Sequence, residues 1–459
     1  MGRKFNQLLL LSLVAVIVLL SFTACGSTAP DKVDDGEKET PSSEEPSKTD
    51  EDKPAVDEPT EQTELSLWHI QNREPMPGIF QGSIDRFMAD NPEYNVTIDV
   101  IANDAYKQKI TVAMSSDSTP DIYPHWSGGP MIEYIKSGHT ADITEYMNKD
   151  NYKDKFLDAS IAQATYEDKL YAVPIENVAI AGIFYNKDLF EKYDLSEPNT
   201  MKDLEEIADT LIENGIVPFS LANKTQWTGS MYYMYFATRF GGIEPFNDAA
   251  SGEGSFESEP FVYAGNQVQK WVDAKYFNEG FNGLDEDSGQ SRELLYGEQA
   301  AMTVMGSWFV QTVKGENPDF YEKVGFFLFP SIEESSADPN IVVGTVGDNF
   351  YSVSGSCEDP EGAFKAITYL IDDTAVQERK DAGKIVPFKD FTSDDPILQT
   401  VLDKVKEAPA VQLWYDQYLA PEVADVHKAT SQEIFGKTMT PEDANTKMQE
   451  AIESYNAKE

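Results

Sequence analysis

The sequence predicts an α/β protein of two lobes, and three observations predict it. The chain has 459 residues with 41% hydrophobic and 12% aromatic content, enough to bury more than one core. From Glu64 to Tyr123 short apolar strands alternate with amphipathic helices, the pattern of a largely parallel sheet covered by helices. Lys169 to Lys187 then runs from a polar turn through Pro174, Glu176 and Asn177 into a long apolar stretch. Pro174 removes a ladder donor and extends the residue before it, so this segment reads as a crossover between two sheets. A polar pair at such a crossover is placed to face a cleft, which makes Glu176 and Asn177 candidate ligand contacts.

The chain opens with Arg3 and Lys4, an apolar run from Leu8 to Leu20, and small residues leading to Cys25. This is the pattern of an export signal over residues 1–24, with an apolar run short for a membrane span. The approach to Cys25 resembles a bacterial lipobox, which implies that Cys25 carries the lipid, although Phe22 stands where leucine is more usual. Residues 26–62 carry thirteen acidic and four basic side chains with almost nothing apolar, so residues 25–62 are expected to form a disordered tether. Cys357 is the one remaining cysteine; with Cys25 lipidated, no disulfide is available within the mature chain.

In the first lobe Glu64–Ile70 and Asn95–Ile101 read as strands, Gly78–Ala89 and Tyr106–Ser115 as helices, and Thr119–Tyr123 as a return to the sheet. Ligands of such sheets sit beyond the carboxyl ends of strands. Two strand ends therefore stand out: Trp68-His69-Ile70-Gln71-Asn72 and His125-Trp126-Ser127-Gly128-Gly129. An indole can stack on the C–H face of a sugar while neighbouring polar side chains bond its hydroxyls, so Trp126 and His69 are candidates. Trp68, inside the strand alternation, is expected in the core.

After the crossover, Thr200 caps a helix over Met201–Asn214, and Val217–Leu221 is a strand whose following loop holds Trp227 among polar residues, a further candidate. Met231–Phe240 and the Trp271 helix read as core. Gln299–Met305 is a strand leading into Gly306-Ser307-Trp308. Gly344–Val353 reads as the return crossing, which would bring Asp348 and Asn349 towards Glu176 and Asn177.

The exported start, Thr119-Pro120-Asp121-Ile122, Tyr171-Ala172-Val173-Pro174 with Phe184-Tyr185-Asn186-Lys187, and Ala301-Met302 with Gly306-Ser307-Trp308 occur in an order that resembles the family 1 extracellular solute-binding proteins. These are the sugar receptors of bacterial ABC importers, and the resemblance covers nearly everything after the tether. It implies a type II periplasmic-binding-protein-like fold: two α/β lobes, 63–175 with 349–390 and 176–348 with 391–459, joined by crossing segments and closing on a sugar. It also implies that Trp308 stacks on the sugar and that Trp414 and Asp416 reach the cleft. Ile175 stands where many relatives carry an aromatic, so contacts there are expected to differ.

The implied function is a lipid-anchored, monomeric receptor on the outer face of the cytoplasmic membrane of a Gram-positive bacterium, delivering a neutral sugar or short oligosaccharide to a permease. Two alternatives stay open: a cationic metabolite such as a polyamine in the same fold, and a glycoside hydrolase using Glu176 and Asp348. A net charge of −44 argues against nucleic acid and polyanionic ligands. His69, His125, His139 and His427 lack metal-ligand spacing, and no phosphate loop or nucleophile elbow occurs, so no metal or cofactor is expected.

Overall fold

Strand alternation decides the first lobe. In Thr63–His69 (β1), Leu65, Leu67 and His69 point inward, and Met76–Asp90 (α1) covers them with Ile79, Phe80, Ile84 and Phe87. β1 pairs in parallel with Tyr94–Val100 (β2) over its whole length, and with Ile122–His125 (β3) at its end. Asn103–Ser115 (α2) connects β2 to β3, and Gly129–Lys136 (α3) follows. This computed structural model describes residues 62–458 apart from the side chains of Asn177 and Asp348, so the predicted leader, Cys25 and the tether lie outside the described residues.

Val173–Asn186 (β4) is the predicted crossover, realised as one strand of 14 residues. Its first half lies beside the first lobe; from Ala181 onward it belongs to the second. There Met201–Glu213 (α4), Val217–Phe219 (β5), Trp227–Gly241 (α5), Glu259–Asp273 (α6), Ala300–Gly306 (β6), Phe309–Glu316 (α7) and Val324–Phe327 (β7) follow in order. Thr200 and Asp203 form a capping box at α4, worth about 1 kcal/mol. Trp271 is fully buried and stacks on Phe219 at 5.0 Å, as expected of a core residue. Val342–Val353 (β8) carries the chain back, followed by Pro360–Tyr369 (α8) and Asp373–Asp381 (α9), which pack on α1.

Among the described residues nine strands join in one sheet, in the order β2-β1-β3-β8-β4-β6-β5, with β7 on β4 and Val411–Gln412 (β9) on β8. The sheet is more mixed than the predicted largely parallel one. β1, β2 and β3 run parallel, as do β5 and β6, but β4 and β8 run antiparallel to each other. The reason is geometric: two strands that cross between lobes in opposite senses must pair head to tail. Their ladder breaks between Val346 and Asn349 and again before Phe350, where the lobes meet. The chain ends with Pro396–Glu407 (α10), Tyr415–Tyr418 (α11), Pro421–Phe435 (α12) and Pro441–Asn456 (α13).

The chain end also touches the first lobe. Gly128, at φ +89°, and Gly129 lie so close to the backbone of Gln417–Leu419 that a methyl group on Gly129 would stand 2.1 Å from the Leu419 carbonyl oxygen. Only glycine allows that approach. Tyr455 donates to Glu133 at 2.6 Å in the same region.

Candidate functional site: a tryptophan-walled cleft between the lobes

A cavity of about 1150 Å³, counting its mouth, lies between the lobes. Six of the predicted residues line it: Trp126, Trp227, Trp308, Asn349, Trp414 and Asp416. Asn177 and Asp348 were also predicted, and their side chains lie outside the described residues.

The second lobe supplies three of the four tryptophans. Trp227 begins α5 rather than lying in the preceding loop, because the helix starts four residues earlier than the apolar run suggested. Trp308 caps α7, and Trp414 precedes α11. Their rings meet edge to face, Trp227–Trp308 at 6.1 Å and Trp308–Trp414 at 6.0 Å, an arrangement the aromatic quadrupole favours. Gly306 makes room for this wall, since a methyl group there would stand 2.1 Å from the Trp308 ring. Met231, Met234 and Met305 add pliable apolar surface.

The first lobe presents Trp126, nearly buried just beyond β3 and held edge to face by Tyr106 at 6.1 Å. Tyr106 is itself fixed by a hydrogen bond to the Pro124 carbonyl. Lys107 lies over the Trp126 ring at 4.9 Å and reaches Asp416 on α11 at 4.0 Å, so this pair spans the cleft. A second span is Arg73, which donates to the Asp287 carbonyl at 2.5 Å and approaches Glu316 at 3.4 Å. Arg292 holds the buried Glu286 and grips Glu316 with two bonds, at 2.7 and 3.0 Å. Burial pushes the Glu286 carboxyl above its ordinary range, with Arg292 opposing. Burial and then the Asp287 charge raise Asp104 in the same way, with Lys107 opposing.

The structure does not bring His69 or Glu176 to the cavity. His69 is the last inward residue of β1, on the face of Leu65 and Leu67, fully buried and stacked on Phe80 at 4.2 Å. Burial holds its pKa down at about 4, so it is neutral. Glu176, also fully buried, sits behind the cavity floor and accepts a hydrogen bond from Gln71 at 2.6 Å. It does meet Asn349, its ladder partner, which donates to it at 3.2 Å. Cys357 is half-buried, its thiol pushed up to about 12 by burial, which leaves it protonated and unreactive.

Apart from Asp416, sequence reasoning missed the charged part of the site: Arg73, Lys107, Glu286, Asp287, Arg292 and Lys384 all line the cavity. Gln71 to Arg73 lie just past the end of β1, where the strand-end rule points; alternation puts His69 in the core instead. Lys384, between Gly383 and Ile385-Val386-Pro387, is a lone cation before an apolar run, and that contrast was its signal. Among the described residues no group of three or more His, Cys, Asp or Glu is placed to hold a metal ion.

Residues 73–377 match the family described as bacterial extracellular solute-binding protein. The chain belongs to that family. Among curated relatives, the multiple sugar-binding protein of Streptococcus mutans is 24% identical over 82% of this chain and 88% of its own length. The melibiose/raffinose/stachyose-binding protein of Bacillus subtilis is 23% identical over 84% of this chain and 88% of its own. An uncharacterized ABC transporter extracellular-binding protein of Pyrococcus horikoshii is 26% identical over 67% of this chain, which spans 65% of that relative. A solved structure from work on xylan utilization by Caldanaerobius polysaccharolyticus superposes with a TM-score of 0.79 at 29% identity, covering 84% of this chain and 99% of that one. As an extracellular solute-binding protein of this family, the chain has the two-lobed α/β fold of periplasmic binding proteins. Family and fold are those of binding proteins rather than enzymes.

Proposed function

We propose that this chain is a lipid-anchored receptor, attached through Cys25, that captures a neutral sugar or short oligosaccharide and passes it, as a monomer, to the permease of an ABC importer in a Gram-positive bacterium. The lobes 63–175 with 349–390 and 176–348 with 391–459 close on the ligand, with the acidic tether of residues 25–62 as spacer. One observation carries the reading: Trp227, Trp308 and Trp414 form a continuous aromatic wall in a cleft whose other lobe offers Trp126. Flat indole faces suit the C–H faces of sugar rings, and the charged rim around them supplies donors and acceptors for hydroxyls. A wall of three indoles has the extent for more than one ring. The relative named for melibiose, raffinose and stachyose supports the sugar class, and the structure from xylan utilization supports an oligosaccharide.

A cationic metabolite is the second reading, and the carboxylates of Asp287 and Asp416 on the cavity wall favour it. Both are acceptors that an ammonium group entering the cleft could meet. The hydrolase alternative loses its acid, since Glu176 is fully buried and engaged behind the floor.

The test is a thermal-shift screen of neutral mono- and oligosaccharides against polyamines. A ligand of the folded state at a hundredfold its Kd adds about 2.7 kcal/mol of apparent stability. A shift with one neutral sugar class is expected; a shift with amines alone would replace the ligand while keeping a binding protein.

A further inference from the structure

Glu176 is absent from the cavity lining, yet three side chains that do line the cavity lie against it. Gln71, from the loop after β1, donates to Oε1 at 2.6 Å; Asn349, on β8, donates to the same oxygen at 3.2 Å. Lys384, from the loop after α9, places Nζ 3.9 Å from Oε2 and 3.5 Å from the Gln71 Oε1. A fourth neighbour, Arg379, lies behind them with Nε 3.8 Å from Oε2 and its guanidinium over Phe80 at 5.1 Å. Glu176 and Arg379 are fully buried and Lys384 nearly so.

The three lining residues come from three separate stretches of chain, and the Glu176 carboxylate is the acceptor they share. An ionised carboxylate only accepts, so it settles which way each amide points. With its Nδ2 turned to Glu176, Asn349 keeps Oδ1, a buried acceptor with no partner in the protein. Lys384 has only donors, and both of its contacts are long, so its ammonium has protons to give.

We propose that Glu176 is a positioning residue for ligand recognition, acting through Gln71, Asn349 and Lys384 without touching the ligand. It fixes an acceptor at Asn349 and a donor at Lys384, two lining residues that meet the same carboxylate and together offer a sugar hydroxyl both kinds of partner. Replacing that hydroxyl by hydrogen would leave both groups unpaired, so the floor discriminates against the corresponding deoxy-sugar. The proposal rests on the cleft being the sugar site.

The test titrates tryptophan fluorescence with xylotriose, raffinose and N,N′-diacetylchitobiose in the wild-type chain, Glu176→Gln, Lys384→Met and the double variant, alongside a ligand-free crystal structure of a Glu176→Gln chain. A glutamine can donate as well as accept, so the fixed amide orientation is lost while shape is kept. The expected result is a Kd at least tenfold weaker in Glu176→Gln for whichever sugar binds the wild type, with Gln71, Asn349 or Lys384 displaced in the crystal. A purely structural Glu176 would lower the Tm and leave Kd unchanged; Kd within twofold of wild type, or all three side chains unmoved, overturns the proposal. Should Glu176→Gln fail to fold, the double variant, which removes one charge of each sign, decides by titration and crystal structure. It should bind tenfold more weakly than Lys384→Met, and equality overturns the proposal. If none of the sugars binds the wild type, the sugar reading is what fails for this panel, and the crystal structure alone decides the role of Glu176.

Discussion

Lys107 on α2 and Asp416 on α11 meet across the cleft, Nζ to Oδ2 at 4.0 Å, with the ammonium also 4.9 Å over the Trp126 ring. One lysine thus ties the first lobe to the second and to the aromatic surface at once. Its side chain is 28% exposed and that of Asp416 only 8%, so salt screens the pair incompletely. Lys107→Met should weaken ligand binding by about fivefold, since a partly exposed pair contributes about 1 kcal/mol, and should flatten the dependence of Kd on salt. Titrations at two salt concentrations check this; an unchanged salt slope would remove the pair from closure.

Trp308 sits at the middle of the wall, touching both Trp227 and Trp414. Trp308→Ala should cost about 2 kcal/mol or more of binding, roughly a thirtyfold rise in Kd. Gly306→Ala should produce part of the same loss without touching the indole, because the added methyl would stand 2.1 Å from the ring. Calorimetric titration of both variants tests the wall and its support together.

Arg292 is expected to matter for stability rather than contact. It neutralises Glu286 in the interior, and Arg292→Met would leave that buried charge uncompensated. Breaking such a pair costs about 3–5 kcal/mol, which urea unfolding would read as a lower midpoint.

Acid should act through histidines first. Burial holds His69, His125 and His427 at a pKa of about 4, against an unfolded value of 6.5. Between these values the unfolded chain binds more protons, so stability from these residues is present above pH 6.5 and is lost as pH falls towards 4. Glu286 and Asp104, raised by burial, work in the opposite direction. The difference between wild type and His427→Gln isolates one histidine: the fall in Tm from pH 6.5 to 4 should be shallower in the variant.

The strands and the crossover were legible in the sequence because each rests on local pattern, whereas Trp308 and Trp414 came from the family resemblance. Alternation marks β1, the long apolar run after Pro174 marks β4, and Gly306 ahead of Trp308 marks a ring folded back on its strand. What was not legible depends on register and distant pairing. Which face of β4 Glu176 occupies is set by its ladder with β8, interrupted between Val346 and Asn349, and no local pattern announces that interruption. Lys107 and Asp416 lie 309 positions apart, and only the packing of the lobes brings them together. His69 is a different case: its parity with Leu65 and Leu67 places it inside, and the strand-end rule was applied one residue too early.

The most direct test of the account is a crystal structure of the chain grown with the neutral oligosaccharide that gives the largest thermal shift. The expected result is a sugar ring in van der Waals contact with the Trp308 face, about 3.5–4.0 Å away, inside the cleft and with Trp126 on the other lobe. A sugar bound outside this cleft, or a cleft that takes only an amine, would contradict it.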